Sequence, residues 1–161
     1  MARAPITPAT KALVAAGVEH VVHSYVHDPG VSAFGAEAAA KLGIDEARVF
    51  KTLIVQLDEK QLAVAVVPVS GSLDLRGLAQ AAGCKRAALA DTALAEKRTG
   101  YVRGGISPFG QRMRLPTYLD ESAFAHPTVF VSGGRRGLDI EVAPTAFLQV
   151  VDGHRAPISK R

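Results

Sequence analysis

Phe50-Lys51-Thr52-Leu53-Ile54-Val55-Gln56-Leu57-Asp58-Glu59-Lys60-Gln61-Leu62-Ala63-Val64-Ala65-Val66-Val67-Pro68-Val69 contains two β-branched runs around one short polar break. Valine, isoleucine and leucine at this density suit a pleated, buried surface. Asp58-Glu59-Lys60-Gln61 then reads as a four-residue hairpin loop between strands 50–57 and 62–69. This pair predicts the centre of a sheet.

Upstream, Thr7-Pro8 has the form of an N-cap followed by proline at the first helical position, and Gly17 sits where a C-terminal cap belongs, predicting a helix over 8–16. A strand over 18–26, a turn at His27-Asp28-Pro29-Gly30 and an alanine-rich helix over 34–42 closed by Gly43 follow, with one more turn capped by Asp45. Downstream, Ser72 is placed to cap a helix through residue 82, and Asp91 another to about residue 98. Strands over 114–119, 128–132 and 138–142 come next, with a helical turn at 121–124 and a turn at Gly133-Gly134-Arg135-Arg136-Gly137. Pro144 opens a last helix whose Phe147, Leu148 and Val151 face the sheet, and residues 152–161 read as a polar tail. Strands and helices do not alternate strictly, so the pattern predicts an α+β fold: a mixed, mostly antiparallel, curved or barrel-like sheet surrounded by short helices.

The chain has 161 residues, 48% of them hydrophobic, which suits one domain over 1–161 with a core that needs neither disulfide nor metal. Cys84 is the single cysteine, and the five histidines are scattered, so no metal-ligand spacing exists. The first residues lack the apolar segment of a signal peptide, and no run approaches the about 18 residues that span a bilayer. A cytoplasmic location is expected. Lys and Arg outnumber Asp and Glu by 19 to 15, a net charge of +4 that is compatible with a polyanionic partner without requiring one.

Candidate chemistry gathers at two glycine clusters and one lysine. In Gly100-Tyr101-Val102-Arg103-Gly104-Gly105-Ile106-Ser107-Pro108-Phe109-Gly110, the Gly104-Gly105 pair can aim main-chain N–H groups into a cleft, and Pro108 stiffens the exit; a plain turn would use the same residues. Lys51 begins an apolar strand, so it is either an edge lysine with its head in water or a positive charge at a pocket. In the second cluster Arg135 and Arg136 can fork onto phosphate oxygens, while Ser132 and Asp139 flank the turn and can face one cleft. Arg103, Arg112 and Arg114 add charge near the first loop. Gly-x-Ser-x-Gly, the Walker loop and the dinucleotide fingerprint are all absent from the sequence. What remains suits a carbonyl next to a phosphate-bearing group.

Taken together, Phe50-Lys51-Thr52-Leu53, the first glycine loop and Ser132-Gly133-Gly134-Arg135-Arg136-Gly137-Leu138 resemble, in order, the motifs of the YbaK/EbsC family of aminoacyl-tRNA deacylases. The resemblance implies a mixed α/β fold around a closed or nearly closed sheet, with no metal and no organic cofactor. It implies that Lys51 is essential, that Gly104, Gly105, Ser107 and Pro108 line the site, and that Tyr25 and Asp139 line the pocket, joined by Phe34, Thr52, Ser132 and Arg135. The implied partners are the acceptor end of an aminoacylated tRNA and prolyl-tRNA synthetase, with no DNA and no membrane. Within the family the chain is similar to the bacterial branch that hydrolyses cysteine mischarged onto proline tRNA, with the substrate's own thiol as nucleophile. The alternatives are the Ala-tRNA(Pro) branch and a non-catalytic module that holds an acceptor end or a synthetase.

Overall fold

The hairpin forms the middle of the main sheet. In the computed structural model, which describes residues 5–160, β2 (Phe50–Leu57) and β3 (Gln61–Pro68) pair antiparallel from Phe50↔Pro68 to Leu57↔Gln61. This register leaves only Asp58-Glu59-Lys60 in the loop, one residue fewer than expected, with Asp58 (φ 53°) and Glu59 (φ 58°) both left-handed. The Asp58 carboxylate steadies the region by accepting the Lys85 and Arg86 amides at 3.0 and 2.8 Å. Residues 1–4, the first half of the segment 1–8 expected not to be a signal peptide, and Arg161, the end of the expected tail, lie outside the described residues.

Around the hairpin the five-stranded sheet runs in the order β5 (Ala87–Leu89), β2, β3, β6 (Thr117–Asp120), β9 (His154–Ala156), and only β3–β6 and β6–β9 are parallel. A second, antiparallel sheet orders β1 (His20–Ser24), β8 (Leu138–Val142) and β7 (Val129–Arg135). Among the described residues the two sheets meet at one bridge, Val49↔Phe130, and the wall does not close into a barrel. Even-numbered positions of β2 and β3, such as Phe50, Ile54, Val64 and Val66, pack with Val131, Ile140, Phe109 and Phe147. Odd-numbered Val55, Ala63, Ala65 and Val67 pack on the other face with Leu78 and Ile158. Burial on both faces accounts for the unbroken apolar run in the sequence.

Helices α1 (Pro8–Ala16) and α2 (Phe34–Leu42) have the expected bounds, and Thr7 caps α1 by accepting the Thr10 amide. For α3 (Leu75–Ala82) the expected cap is displaced: Asp74 accepts the Gly77 amide, because Ser72 is drawn into the short strand β4 (Ser72–Leu73). Helix α4 (Thr92–Thr99) is capped by Asp91, and α5 (Pro144–Val151) places Phe147 in the core. The expected polar tail is instead β9 and β10 (Ser159–Lys160), the latter paired with β4. Asp120 holds it there, accepting the Ile158 amide and the Ser159 hydroxyl at 2.9 Å each. The turn expected at 133–137 is shorter, since β7 runs through both glycines with a register shift between Ser132 and Arg135. No helix among the described residues is long and apolar enough to cross a membrane.

Candidate active site

A cavity of about 690 Å³ opens where β2 loses a neighbour. Strand β5 covers β2 only at Val55, Gln56 and Leu57, and the Ala90 amide extends the contact to the Ile54 carbonyl at 2.9 Å. Peptide groups alternate along a strand, so those of Thr52 point to the same side as Ile54, beyond the end of β5. The Thr52 hydroxyl oxygen is buried with no hydrogen-bond partner among the described residues. Lys51 lies half-buried on the opposite side chain face, and its Nζ donates to the Gly71 carbonyl at 3.2 Å.

The facing wall is the second sheet. Its Leu138 and Ile140 turn to the core, and the alternation sends Asp139 and Ser132, paired in register, toward α2. Asp139 is 5% exposed, and no group among the described residues hydrogen-bonds its carboxyl. Burial pushes its pKa up to about 7. Tyr25 follows β1, held by its amide on the Gly137 carbonyl at 2.9 Å. Its phenol is pushed up to about 12, first by burial and then by the charges of Asp139 and Glu37, so it stays a neutral donor. Glu37 fixes the loop between Tyr25 and α2 by accepting the Asp28 amide at 2.8 Å and pairing with His27 Nδ1 at 2.6 Å.

The first turn of α2 forms a third side through Ser32, Ala33, Phe34, Gly35 and Ala36. Ala33 occupies the N-cap and supplies no side-chain bond, so the first amides of α2 remain uncapped at the cavity. The glycine loop forms the rim. It is stapled at its ends by Tyr101 Oη donating to the Phe109 carbonyl at 2.6 Å, and a Val102–Gly105 turn closes on a 2.8 Å bond from the Gly105 amide to the Val102 carbonyl. Gly104 takes φ 84° in that turn, and a Cβ there would stand 2.7 Å from the Phe34 ring. At Gly105 a Cβ would stand 2.7 Å from the Arg135 Cα. Both glycines therefore permit close packing; the Gly105 amide is spent inside the turn, and no acceptor among the described residues takes that of Gly104.

Of the residues singled out in the sequence, Tyr25, Phe34, Lys51, Thr52, Gly104, Ser132 and Asp139 line this cavity. Gly105, Ser107, Pro108 and Arg135 do not. Ser107 is fully buried, with its oxygen accepting the Phe109 amide at 3.3 Å, and Pro108 faces a smaller cleft of about 250 Å³ beside α1. Arg103, expected only as charge near the first loop, lines the cavity, and Arg136, expected as a phosphate fork, has its guanidinium carbon 4.7 Å from the Phe34 ring centroid. Among the described residues no three His, Cys, Asp or Glu side chains gather as metal ligands.

The fold and cavity define a small mixed α/β domain with a pocket of the size that takes a small molecule or one end of a larger one. The family model described as aminoacyl-tRNA editing domain matches residues 28–150, and the chain belongs to this family of editing enzymes. A relative from Enterococcus faecalis (strain ATCC 700802 / V583), EbsC, provisionally named a Cys-tRNA(Pro)/Cys-tRNA(Cys) deacylase, is 42% identical over 127 residues, 78% of this chain and 77% of its own. A crystal structure described provisionally as a trans-editing enzyme for prolyl-tRNA synthetase superposes with a TM-score of 0.80 at 22% identity, covering 98% of this chain and 100% of that one. The crystal structure of a hypothetical protein gives 0.85 at 24% identity, covering 96% and 100%. These likenesses bear out the family resemblance and the mixed α/β fold.

Proposed function

We propose that residues 1–161 form one editing domain that deacylates Cys-tRNA(Pro) in trans, with the terminal aminoacylated nucleoside in the 690 Å³ cavity. The observation that carries this reading is the lining itself: it offers a lysine, a tyrosine, a buried acid and hydroxyls, but no His or Cys to serve as nucleophile or paired base. An activated ester asks mainly for positioning and charge stabilisation. Lys51 anchors the phosphate or backbone of the terminal adenosine. The Gly104 amide and the uncapped amides of α2 polarise the ester carbonyl, a role in which the engaged Gly105 amide gives way to its neighbours. Tyr25, Asp139, Thr52 and Ser132 orient the aminoacyl group.

The cysteine sulfur then attacks its own ester carbonyl, the bond to the ribose oxygen breaks, and that oxygen leaves with the thiol proton. Water opens the released thiolactone to cysteine. Selection by a second site meets a need that a synthetase pocket cannot, since ligands of similar size differ too little in binding. The 42% identity to EbsC supports this choice of substrate, and a cytoplasmic site of action beside prolyl-tRNA synthetase goes with it.

Single-turnover deacylation of Cys-tRNA(Pro), Ala-tRNA(Pro) and Pro-tRNA(Pro) by wild type and Lys51→Ala tests the reading. Rapid loss of cysteine alone, abolished by the substitution, is the expected result. Preferential loss of alanine would assign the alanine branch, and tRNA binding without hydrolysis of any ester would leave a non-catalytic module.

A further inference from the structure

At the cavity mouth three residues from three separate segments converge. Phe34 opens α2, Arg103 belongs to the glycine loop, and Arg136 belongs to the β7–β8 turn. The Arg136 guanidinium carbon lies 4.7 Å and that of Arg103 5.9 Å from the Phe34 ring centroid, so both cations share one aromatic ring. Their positions are fixed rather than floating. Arg136 Nε donates to the Arg103 carbonyl at 2.9 Å, the Arg103 amide donates to Glu96 Oε2 at 2.8 Å, and Gly104 lies against the Phe34 ring.

Two like charges held together at a surface repel, and folding alone gains little from that. Both arginines are exposed, and neither pairs with a carboxylate within 4 Å among the described residues. Glu37, the buried acid of α2, is already engaged by His27 and the Asp28 amide. The terminal nitrogens of Arg136 make no bond among the described residues, since only Nε is used. Planar guanidinium forks match phosphate oxygens, and an aromatic ring beside them matches a base or a sugar face.

We propose that Arg103, Phe34 and Arg136 form a clamp for one phosphodiester of a single-stranded RNA 3′ end as it leaves the cavity. This rests on the editing reading and extends it. The cavity takes the terminal nucleoside and its ester, Lys51 takes the phosphate that enters with it, and the clamp takes a linkage further out. The clamp thereby sets the register of the strand against the cavity without reading a base.

The test is direct binding of an uncharged RNA hairpin ending in CCA, followed by fluorescence anisotropy across a salt series, for wild type and Arg103→Gln/Arg136→Gln. The double variant should bind about tenfold more weakly, with the slope of log affinity against log salt reduced by about 0.7, the value for one phosphate contact to a single strand. Replacing each of the last three linkages in turn by methylphosphonate should weaken wild type at one linkage and leave the double variant indifferent to it. Unchanged melting temperature excludes misfolding, as both side chains are exposed. Equal affinity and equal slope for the two proteins would overturn the clamp, as would wild type that shows no salt-dependent binding. Binding through the clamp without ester cleavage in the deacylation assay would instead refute the proposed function and leave the clamp standing.

Discussion

Replacing Asp139 by asparagine removes one ionisable group from the cavity wall with little change of shape. The carboxyl is 5% exposed, and burial pushes its pKa from 3.8 to about 7. A folded-state pKa above the unfolded one means that the folded protein holds this proton more tightly. Stability therefore falls as pH rises from about 4 to about 7, and the full cost of the buried charge persists above that. About three units at about 1.36 kcal/mol each give a cost of about 4 kcal/mol. Asparagine carries no such cost. In urea unfolding at pH 8, Asp139→Asn should be more stable than wild type by up to about 4 kcal/mol, and the gap should close toward pH 4.5. Parallel pH profiles for the two proteins, or a less stable variant at pH 8, would refute the picture of an unpaired buried carboxyl.

Gly105→Ala should destabilise by about 2–3 kcal/mol in urea unfolding, beyond an ordinary glycine effect, because the new Cβ meets the main chain of Arg135, which cannot swing away. Tyr101→Phe should cost about 1–3 kcal/mol by the same measurement, since the Phe109 carbonyl loses its buried donor; deacylation should fall with the slackened loop. At Asp120 burial works against the charge, but hydrogen bonds from Ser122, Ser159 and the Ile158 amide outweigh it and hold the carboxyl below its ordinary range. The stability it supplies is present above the unfolded pKa and lost as pH falls through the folded one. Asp120→Asn should accordingly be less stable than wild type at pH 7, with the difference narrowing at pH 3.

The sheet centre was legible because β2 and β3 are buried on both faces and so spell an unbroken apolar run; α1 was legible because Thr7 and Gly17 mark its ends and α2 because Gly43 closes it. The last two strands were not. Only Ala156 and Ile158 are apolar at alternate positions there, and the hold on them comes from Asp120, far away in sequence. Ser72 and Asp74 are both good caps, and the strand pairing of Ser72 with Lys160 decides between them. At the site, the strand positions Lys51, Thr52, Ser132 and Asp139 come together at one cavity, since a strand fixes where a side chain can go. Loop positions are harder to place: Ser107 is fully buried, Pro108 faces the smaller cleft, and the convergence of Arg103 and Arg136 on Phe34 depends on long side chains from two turns.

Several groups that a folded chain ordinarily satisfies are left open around one cavity. Helices α1, α3 and α4 are capped by Thr7, Asp74 and Asp91, while α5 at Ala143 and α2 at Ala33 have no side-chain cap, and α2 begins at the cavity. Among the described residues, Thr52 keeps a buried hydroxyl without a partner, its peptide groups face the strand edge beyond β5, and Asp139 keeps a buried carboxyl with no hydrogen bond. The unsatisfied buried hydroxyl of Thr52 costs about 1–3 kcal/mol, and a conservative change would remove that cost. Uncapped amides at the start of α2 and a threonine in the lining, beside an acid held near neutrality and two clustered guanidiniums outside, suit a polar carbonyl ligand tethered to a phosphate. A ligand that satisfies them returns the energy on binding, so an uncleavable aminoacyl-adenosine should raise the melting temperature of wild type, and raise it less in Thr52→Val than in wild type.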